Sequence, residues 1–585
     1  MPARVEPKTQ QQTTIYGIGG LDVTNESELI GPDRMAELIN FDLYAEDGIA
    51  QVRAAKQGGV TYQLPIRMIT EHDGVLYTHA GTEVYNDANT STSLSLSIGL
   101  GASTAESYTE LDGRSTMYIA GAADMIKVLN GVSSSWGITA PVPGPKLTRT
   151  TGTLNPGIYG VVYTLVEKVG DTVIQESNPS PPDYLHLHTT LGISVSMGST
   201  TQDDVTHYRV YRTQVNGSTF LFDKELPYVG GNITYVSVTD DDDLGTAVSE
   251  DNDPPILTNI FAIFQDRGFL SDGINVYFSE KSNLNAWPQL NFLPVGTPSD
   301  PVVALVASPA GLGVFRKRKR FKILESLEDV TAIGAQLPFF GGASNTFFAI
   351  PSSDSRGALG LRAAVAVSEG ILYVSHDGVF VTNLADQDVF IGADIRGLFH
   401  NNGSENILPL DIDSSFVVAL EFQNRYYVSY TDTDNTSNTL VYSKTNQKWY
   451  HYDFGFLAAY ASNTINAMYA GIDTQLTVIE NVKAPNTESI TASMRTHELH
   501  FGLPFIRKVL HYIYVDSDLI TGETLSGTLY VDGVLNQTFT VSNNQKVRFA
   551  AGVFGRTFAV DLSYTGTRRL KVRGMRLIWT PMAMG

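Results

Sequence analysis

The sequence contains no cysteine among its 585 residues. This absence excludes disulfide scaffolds, thiolate zinc sites and cysteine nucleophiles, but it leaves the redox compartment open. No stretch reaches the roughly 18 consecutive apolar residues that a membrane-spanning helix needs. The N-terminal segment MPARVEPKTQQQTTIYG also lacks an apolar core of signal-peptide length. We therefore expect a soluble protein with no membrane insertion, no anchor and no Sec-type export signal.

Common catalytic motifs are missing as well. The sequence has no G-x-x-x-x-G-K-[ST], no G-x-S-x-G and no H-E-x-x-H, so nucleotide hydrolysis and the commonest hydrolase classes have no support. From these absences we predict no catalytic residue, no cofactor and no enzyme. One exception stays open, because propeller-shaped glycosidases and lyases take paired carboxylates from separate blades, and a single sequence does not reveal such pairs.

Three short clusters have the residue types of metal ligands. His186 and His188 are spaced to share one face of a strand, but no third ligand is marked nearby. The segments TDDDDLG (residues 239–245) and TDTDN (431–435) offer clustered oxygens of the kind that calcium takes, without the twelve-residue loop of an EF-hand. We expect solvated turns at these positions and no metal.

The charge of the chain is strongly negative and unevenly distributed. The net charge is -21 and the pI is near 4.9, which argues against a general nucleic-acid binder, because phosphate contacts need clustered cations. From Arg495 to the C-terminus, eleven Lys and Arg outnumber six Asp and Glu. This segment is therefore basic within an acidic chain, as expected of a subunit that docks between unlike neighbours.

Turn residues are abundant, and the remaining pattern is almost entirely β. The chain has 52 glycines and 25 prolines, and Asp-Gly, which favours tight hairpin turns, occurs repeatedly. The segments EHDGVLYTHAGTEVYN (71–86) and SHDGVFVTN (375–383) each join such a turn to a short run of strand-forming residues. Three further segments run from an apolar strand through a polar turn into Trp136, Trp287 or Trp449. Short hairpins that recur without a strict period predict a β-propeller, with several unrelated β-sandwiches as the alternative.

Two regions interrupt the propeller pattern. After the proline-rich segment APVPGPKLT (140–148), strands of about seven residues bounded by Pro and Asn predict a β-sandwich with Tyr159, Val161 and Tyr163 on one face. From about residue 494 a second group of strands begins. The predicted fold is all-β, a β-propeller with an inserted fibronectin- or Ig-like β-sandwich and a C-terminal β-sandwich or jelly-roll-like domain. The predicted boundaries are an N-terminal arm (1–15), the first part of the propeller (16–149), the insert (150–255), the second part of the propeller (256–493) and the C-terminal domain (494–585).

Three segments carry a resemblance to a known family. They are the opening GIGGLDVTNESELIGPDRMAELINFDLYAEDGIAQVRAAKQ, the insert with ESNPSPP and VTHYRVYRT, and the closing FGLPFIRKVLHYIYVDSD. Together they resemble the β-propeller tail proteins of short-tailed, podovirus-like bacteriophages, which form the nozzle or hub below the portal and adaptor. The resemblance covers most of the chain in organisation, although each motif is a structural turn or strand.

This resemblance implies a structural virion protein of the phage tail, made in the host cytoplasm. It implies a homo-oligomeric ring, usually of six copies, that surrounds a channel for genome retention and ejection, with the insert on the outside. Expected partners are the adaptor, a tail fibre or spike, and genomic DNA in transient contact. Two alternatives stay open, namely a propeller that binds or degrades polysaccharides, and a free-standing scaffold or receptor-binding module.

Two basic clusters are the candidate contact sites. The segment VFRKRKRFKILE (314–325) predicts a hairpin between two strands of one blade, with five adjacent cations at and beside an exposed tip. Such a tip would be a solvated turn, would contact an acidic protein surface, or would touch DNA in the channel. The residues are Arg316, Lys317, Arg318, Lys319, Arg320 and Lys322.

The second cluster lies near the C-terminus. Alternation in LKVRGMRLIW places Leu570 and Val572 on one face of a strand and Lys571 and Arg573 on the other. One face is then core and the other is cationic, which predicts either a partner interface or ordinary solubilising charges. The candidate residues are Arg568, Arg569, Lys571, Arg573 and Arg576.

Overall fold

The computed structural model describes most of the chain. The described residues are 10–24, 30–43, 48–86, 93–202, 204–325, 347–353, 356–384, 388–412, 416–462, 464–481, 487–542 and 546–582. In these ranges nearly all regular structure is β-strand, and the helical segments are the short 3-10 turns Asp241–Asp243 and Ala393–Phe399. None of the helices in these ranges has the length and apolarity needed to cross a membrane.

Seven groups of antiparallel strands follow one another along the described chain and form the blades of a propeller. Blades 1 to 6 have four strands each and blade 7 has three. Blade 1 comprises Ile66–His72, Val75–Ala80, Glu83–Asn86 and Ser93–Ser97; blade 2, Thr104–Thr109, Ser115–Ala120, Met125–Leu129 and Val132–Ser135; blade 3, Phe261–Phe264, Arg267–Ser271, Asn275–Phe278 and Phe292–Pro294; blade 4, Val302–Ser308, Gly311–Arg316, Arg320–Glu325 and Phe347–Ser353; blade 5, Ala364–Val367, Gly370–Ser375, Gly378–Thr382 and Val389–Phe390; blade 6, Val418–Phe422, Arg425–Thr431, Ser437–Ser443 and Lys448–Tyr452; and blade 7, Ala458–Ser462, Ala467–Ile472 and Gln475–Ile479.

The blades close into a ring. The first strand of each blade contacts the first strand of the next, and Ala458–Ser462 of blade 7 contacts Ile66–His72 of blade 1. An upstream segment completes the closure, because Gln57 and Val478 exchange backbone hydrogen bonds of 2.8 and 3.1 Å. The two ends of the propeller are thus joined by strand pairing, which leaves no open sheet edge at the seam.

Local sequence explains how individual blades form. The Asp73-Gly74 pair that joins the first two strands of blade 1 has positive φ at both residues, 49° and 76°, as a type I′ turn requires. Between blades 2 and 3, the indole nitrogens of Trp136 and Trp287 both donate to the carbonyl oxygen of Leu284, each at 2.7 Å. Two of the recurring tryptophans therefore fill the junction of neighbouring blades.

The insert leaves the propeller between blades 2 and 3 and forms an antiparallel two-sheet sandwich. Its aromatic residues Tyr159 and Tyr163 are buried with Val161 in one core. One sheet contains Lys146–Leu154, Leu191–Met197 and Ile233–Ser237, and the other contains Gly157–Val169, Thr172–Glu176, Asp183–Leu187, His207–Thr213 and Phe220–Pro227. The first strand thus begins slightly before the predicted boundary at residue 150.

A buried ion pair holds the insert against the propeller. Lys127 of blade 2 is 1% exposed, and its Nζ lies 2.7 Å from Oε2 of Glu167 in the insert. Burial lowers the pKa of Lys127, and the Glu167 carboxylate opposes that shift. Gln175 donates to the same Oε2 at 2.8 Å, so the carboxylate is satisfied from both sides of the junction.

The C-terminal domain is a sandwich that also takes strands from the N-terminus. Part of the range 16–149, which was predicted to belong to the propeller, lies in this sandwich, because Met35–Ile39, Phe41–Asp42 and Ala50–Val52 join its sheets. Gln11–Tyr16, which falls almost wholly in the predicted arm (1–15), pairs with Lys571–Pro581. The prediction used local turn signals, which do not report long-range strand pairing. The first sheet contains Gln11–Tyr16, Phe41–Asp42, Ala50–Val52, Lys508–Ser517, Lys546–Gly555 and Lys571–Pro581; the second contains Met35–Ile39, Ile490–Thr496, Thr524–Val531, Val534–Ser542 and Phe558–Gly566.

Blade 6 and the C-terminal sandwich share one sheet. Met35–Ile39 lies between the last strand of blade 6 and Ile490–Thr496, and Ile39 pairs in parallel with His451. Near this joint the guanidinium of Arg425, which is 1% exposed, lies 2.9 Å from the Glu480 carboxylate and 3.4 Å from that of Asp42. The hydrophobic core likewise runs from blades 5 and 6 into the sandwich without a break.

Candidate functional site

The basic segment of blade 4 forms the predicted hairpin. Gly311–Arg316 pairs with Arg320–Glu325, and Phe315 lies opposite Arg320. The turn closes where the amide of Arg316 donates to the carbonyl oxygen of Lys319 at 2.8 Å. Lys317 and Arg318 are exposed, whereas Lys319 in the turn and Lys322 on the strand are partly buried.

Arg316 turns back into its own blade. The guanidinium lies 2.8 Å from the Asp300 carboxylate and donates through Nε to the Asp300 carbonyl oxygen, also at 2.8 Å. Nη1 donates to the carbonyl oxygen of Val295 at 3.2 Å. The other Asp300 carboxylate oxygen accepts from the backbone amide of Arg318 at 3.0 Å. One aspartate therefore fixes both the buried arginine and the turn that follows it.

Arg320 joins blade 4 to blade 5. Its side chain is fully buried, and Nη2 lies 2.9 Å from the Asp388 carboxylate of the next blade. Nε donates to the Ser352 hydroxyl at 2.7 Å, and the guanidinium lies 5.3 Å from the ring centroid of Tyr373. The Tyr373 hydroxyl donates to the same carboxylate. Arg320 is thus a clamp between blades.

The expectation of five adjacent cations at an exposed tip is therefore wrong for Arg316 and Arg320. Both lie inside the propeller because acidic residues distant in sequence, Asp300 and Asp388, meet them there. The exposed part of the hairpin is limited to Lys317 and Arg318, with Lys319 partly buried beside them. A contact with DNA or a partner protein at this tip remains a prediction, now with fewer available charges.

The C-terminal cluster also divides, into arginines that bind other parts of the chain and residues that point outward. Arg568 donates through Nε and Nη2 to the Glu523 carboxylate at 2.7–3.0 Å, and this hydrogen bonding raises the pKa of Arg568 while lowering that of Glu523. Arg569 donates to the carbonyl oxygen of Val52 at 3.0 Å and lies 3.6 Å from Asp42. These two arginines hold internal loops.

Lys571, Arg573 and Arg576 lie on the outward side of their strand. Leu570 and Val572 are fully buried on the other side, as alternation predicts. Arg573 is exposed, with its guanidinium 3.5 Å from the Asp516 carboxylate.

Strand pairing places two further cations beside Arg576. Tyr514 pairs with Arg576 on one side and with Lys546 on the other. In the next row Tyr512 pairs with Arg548. Because directly paired residues share a face of a sheet, these five side chains form one surface. We define the basic face as Lys546, Arg548, Arg573 and Arg576 together with Tyr512 and Tyr514.

Sequence reasoning missed Lys546 and Arg548. Both are exposed, and they flank the partly buried Val547. The alternation in KVRFA was available as a signal, because it predicts Lys546 and Arg548 on one face. The sequence did not indicate that this strand lies next to Lys508–Ser517 and so extends the cationic surface of Lys571–Pro581.

The propeller axis contains a cavity of about 580 Å³ lined by the first strands of all seven blades. Arg362 crosses it where these strands begin, donating to the carbonyl oxygens of Leu457 (2.6 Å), Ser103 (2.9 Å) and Arg67. These carbonyls belong to blades 7, 2 and 1, whereas Arg362 precedes blade 5. Burial lowers the pKa of Arg362 to about 10. This side chain leaves no passage for a DNA duplex along the axis.

Two carboxylates from neighbouring blades line the same cavity. Glu71 of blade 1 accepts hydrogen bonds from Ser462 (3.0 Å) and Thr464 (2.7 Å) of blade 7. Glu106 of blade 2 contacts the open cavity, and its removal from bulk water by the surrounding blades raises its pKa to about 7. The cavity therefore holds one carboxylate fixed by hydroxyl donors and one that titrates near neutral pH.

The candidate metal clusters have protein partners. Arg149 donates to the carbonyl oxygen of His186 at 3.0 Å and lies 3.3 Å from Nε2 of His188. Asp241 pairs with Arg212 at 2.8 Å, and Asp432 accepts from backbone amides within its own turn. In the described residues, no group of three or more His, Cys, Asp or Glu is arranged to hold a metal ion.

The comparisons with known proteins are weak. No family model matches the sequence, and no curated protein matches it. Similar solved structures include the extracellular domain of a one-component system from B. thetaiotaomicron (9% identity, 93% of this chain and 94% of that one, TM-score 0.23) and BamB from Moraxella catarrhalis (9%, 58% and 98%, 0.24). Trypanosoma rangeli sialidase in complex with sialic acid is another (9%, 98% and 96%, 0.19). Similarities at this level carry no argument about activity.

Proposed function

We propose that this chain is a structural protein of a phage tail, a nozzle or hub subunit that forms a ring around the genome channel and carries other tail proteins. The observation that carries the proposal is the basic face of the C-terminal sandwich, a cationic surface on a chain of net charge -21. Such a surface suits an acidic neighbouring protein. The resemblance of three segments to podovirus-like tail proteins implies that this neighbour is another subunit of the tail.

The central cavity is consistent with this role. Arg362 crosses the propeller axis, so a genome would pass between copies of the chain instead of through a propeller. The channel of the ring would then be lined by the outer surfaces of the copies. An acidic wall would prevent DNA from adhering as it passes, because like charges repel across the short distances that salt leaves unscreened.

The test is localisation in the virion. Gold-labelled antibodies against the whole chain should mark the tail end of intact tailed particles, and antibodies against a capsid protein are the control for labelling elsewhere. Label on the tail supports a tail subunit. Absence of the chain from purified particles, measured by mass spectrometry, would contradict the proposal.

A second candidate function is polysaccharide binding or cleavage in the central cavity. The observation that favours it is the pair of carboxylates from different blades, since the pKa of Glu106 is raised and Glu71 accepts hydrogen bonds from two hydroxyl groups. Glu106→Gln and Glu71→Gln should then each abolish release of reducing sugar from host polysaccharide. If the wild-type chain releases none, this candidate fails.

A further inference from the structure

The insert carries an acidic surface on the outer edge of its five-stranded sheet. Residues 225–266 contain nine Asp and Glu and no Lys or Arg. Within this range, residues 245–248 run alongside Phe220–Pro227, with the amide of Phe222 donating to Thr246 at 2.9 Å and that of Val248 donating to Phe220 at 3.0 Å. This segment is the exposed border of the sheet.

Acidic residues flank the border segment at both ends. Asp241 is held by Arg212 and by the amide of Val215 at 2.7 Å, but its neighbours point outward. We define the acidic edge as the exposed residues Asp240, Asp242, Asp243, Glu250 and Asp251. Among the described residues, no Lys or Arg forms an ion pair with any of these five.

The acidic edge and the basic face lie on opposite sides of the propeller. The insert is anchored between blades 2 and 3, whereas the C-terminal sandwich continues the sheet of blade 6. Around the ring, blades 3, 4 and 5 separate the two attachment points in one direction, and blades 2, 1 and 7 separate them in the other. A single copy therefore carries the two oppositely charged surfaces on domains that attach to opposite sides of the propeller ring.

Within the described ranges, the basic face is short of acidic partners from its own chain. Lys546 and Arg548 are exposed, and the acid on this surface, Asp516, lies beside Arg573. The exposed ammonium of Lys546 and the exposed guanidinium of Arg548 suit a carboxylate, which accepts charge-assisted hydrogen bonds from both kinds of group.

We infer that the acidic edge of one copy binds the basic face of the next copy. The inference rests on the proposed ring and identifies its contact surfaces. A second copy is the occupant that satisfies both surfaces at once, because each chain supplies one of each. A contact between two different patches is heterologous, and it closes into a ring when the rotation between neighbours closes.

The opposite placement of the two surfaces favours such a chain of contacts over a symmetric dimer. In a two-fold dimer the same patch meets itself, which would bring basic face against basic face or acidic edge against acidic edge. Like charges in direct contact cost several kcal/mol. Nucleic acid would satisfy the basic face alone and would be repelled by the acidic edge.

Charge exchange in the full-length chain tests the contact. The first variant is Lys546→Glu with Arg548→Glu, and the second is Asp242→Lys with Asp243→Lys. Each should weaken self-association about 100-fold or more in sedimentation velocity at low ionic strength, as expected for like charges forced together. The chain with all four substitutions should recover association to within about tenfold of wild type, because the interface is then complementary again.

Two controls separate folding from contact. Lys317→Glu with Arg318→Glu changes the same charge at the blade 4 hairpin and should leave association unchanged. Glu250→Lys with Asp251→Lys repeats the acidic-edge test away from the 3-10 turn. All variants should keep the wild-type unfolding midpoint, since exposed charges contribute little to stability.

Failure of this interface differs from failure of the proposed function. The proposed contact is wrong if the variants of one surface associate like wild type, or if the chain with all four substitutions does not regain self-association. Neither result bears on the location of the chain in the tail, which the labelling experiment tests separately. Salt-dependent binding of a short random DNA duplex to the basic face, lost in Lys546→Glu with Arg548→Glu while self-association is unchanged, would also overturn it.

Discussion

The hairpin of blade 4 and the basic face of the sandwich are both dense in Lys and Arg. In the hairpin two of the arginines point into the protein, whereas the cations of the basic face point outward. In the hairpin the arginines at the two strand ends, Arg316 and Arg320, are buried against Asp300 and Asp388. On the basic face, Lys546 and Arg548 point away from the core. The density of charged residues in a sequence therefore does not show whether their side chains point into the core or into solvent. Side chains that point into the core stabilise the fold, whereas those in solvent are available to bind a partner.

The partner carboxylates make the difference. Asp300 precedes the first strand of blade 4, and Asp388 lies in the following blade. Closing the propeller brings these acids to the hairpin, and a buried arginine is retained when its charge and donors are matched. Among the residues that the structure describes, the basic face has no comparable set of acids across its sheet, and its cations stay outside.

The largest expected effect comes from removing a clamp. Arg320→Gln leaves Asp388 buried without its counter-charge, which should lower the free energy of unfolding of the propeller by about 3–5 kcal/mol. Urea unfolding followed by tryptophan fluorescence measures this change. The matched control is Lys317→Gln, three residues away and exposed, for which we expect a change below about 1 kcal/mol. Equal effects of the two substitutions would break the comparison.

The insert supplies a second buried contact of the same kind. Glu167→Gln removes the carboxylate and leaves Lys127 buried at the junction with no counter-charge, which should cost about 3 kcal/mol. Glu167→Gln with Lys127→Met should recover most of that loss. Thermal unfolding by calorimetry compares the two proteins. If Lys127→Met brings no gain, the insert is not held by this ion pair.

Acid should weaken the propeller through His79. Its Nε2 lies within 3.0 Å of the carbonyl oxygens of Gly81 and Gly99, and burial lowers its pKa to about 4. In the unfolded chain this histidine takes up a proton below about pH 6.5, whereas in the folded chain it stays neutral until the pH is near 4. The free energy of unfolding is therefore unaffected above pH 6.5 and decreases as the pH falls towards 4. The loss should reach roughly 3 kcal/mol. His79→Gln should flatten the dependence of the unfolding midpoint on pH between 6.5 and 4.

The smallest effect on stability is expected on the basic face. Gln at Lys546, Arg548 and Arg573 together should leave the unfolding midpoint almost unchanged, because these side chains are exposed and exposed charges contribute about 1 kcal/mol or less each. The same protein should lose self-association. Differential scanning fluorimetry and sedimentation velocity on one preparation measure both quantities. A large fall in the midpoint would place these residues with the structural arginines.

Local features were predictable from the sequence, and long-range ones were not. The hairpin that places Phe315 opposite Arg320 and the burial of Leu570 and Val572 follow from turn chemistry and strand alternation, which depend on neighbouring residues. The pairing of Gln11–Tyr16 with Lys571–Pro581 joins the two ends of the chain, and its pattern has no local signal.

The same distinction explains the candidate site. Alternation placed Lys571 and Arg573 outside, but the roles of Arg568 and Arg569 depend on Glu523 and Asp42, which reach them only after folding. Lys546 and Arg548 were readable as one face of a strand. Whether they belong to a larger surface depends on which strand lies beside theirs. The order of strands in the sheet is set by long-range pairing, which a local pattern does not show.

The most direct test of the account is the mass of the full-length chain in solution as a function of salt. Light scattering after size exclusion should give a multiple of the 63.7 kDa chain at low ionic strength and a smaller mass at high ionic strength, because outward charges are screened while the clamps inside the blades are not. A mass of one chain at every salt and protein concentration would contradict the claim that the basic face binds a neighbouring copy.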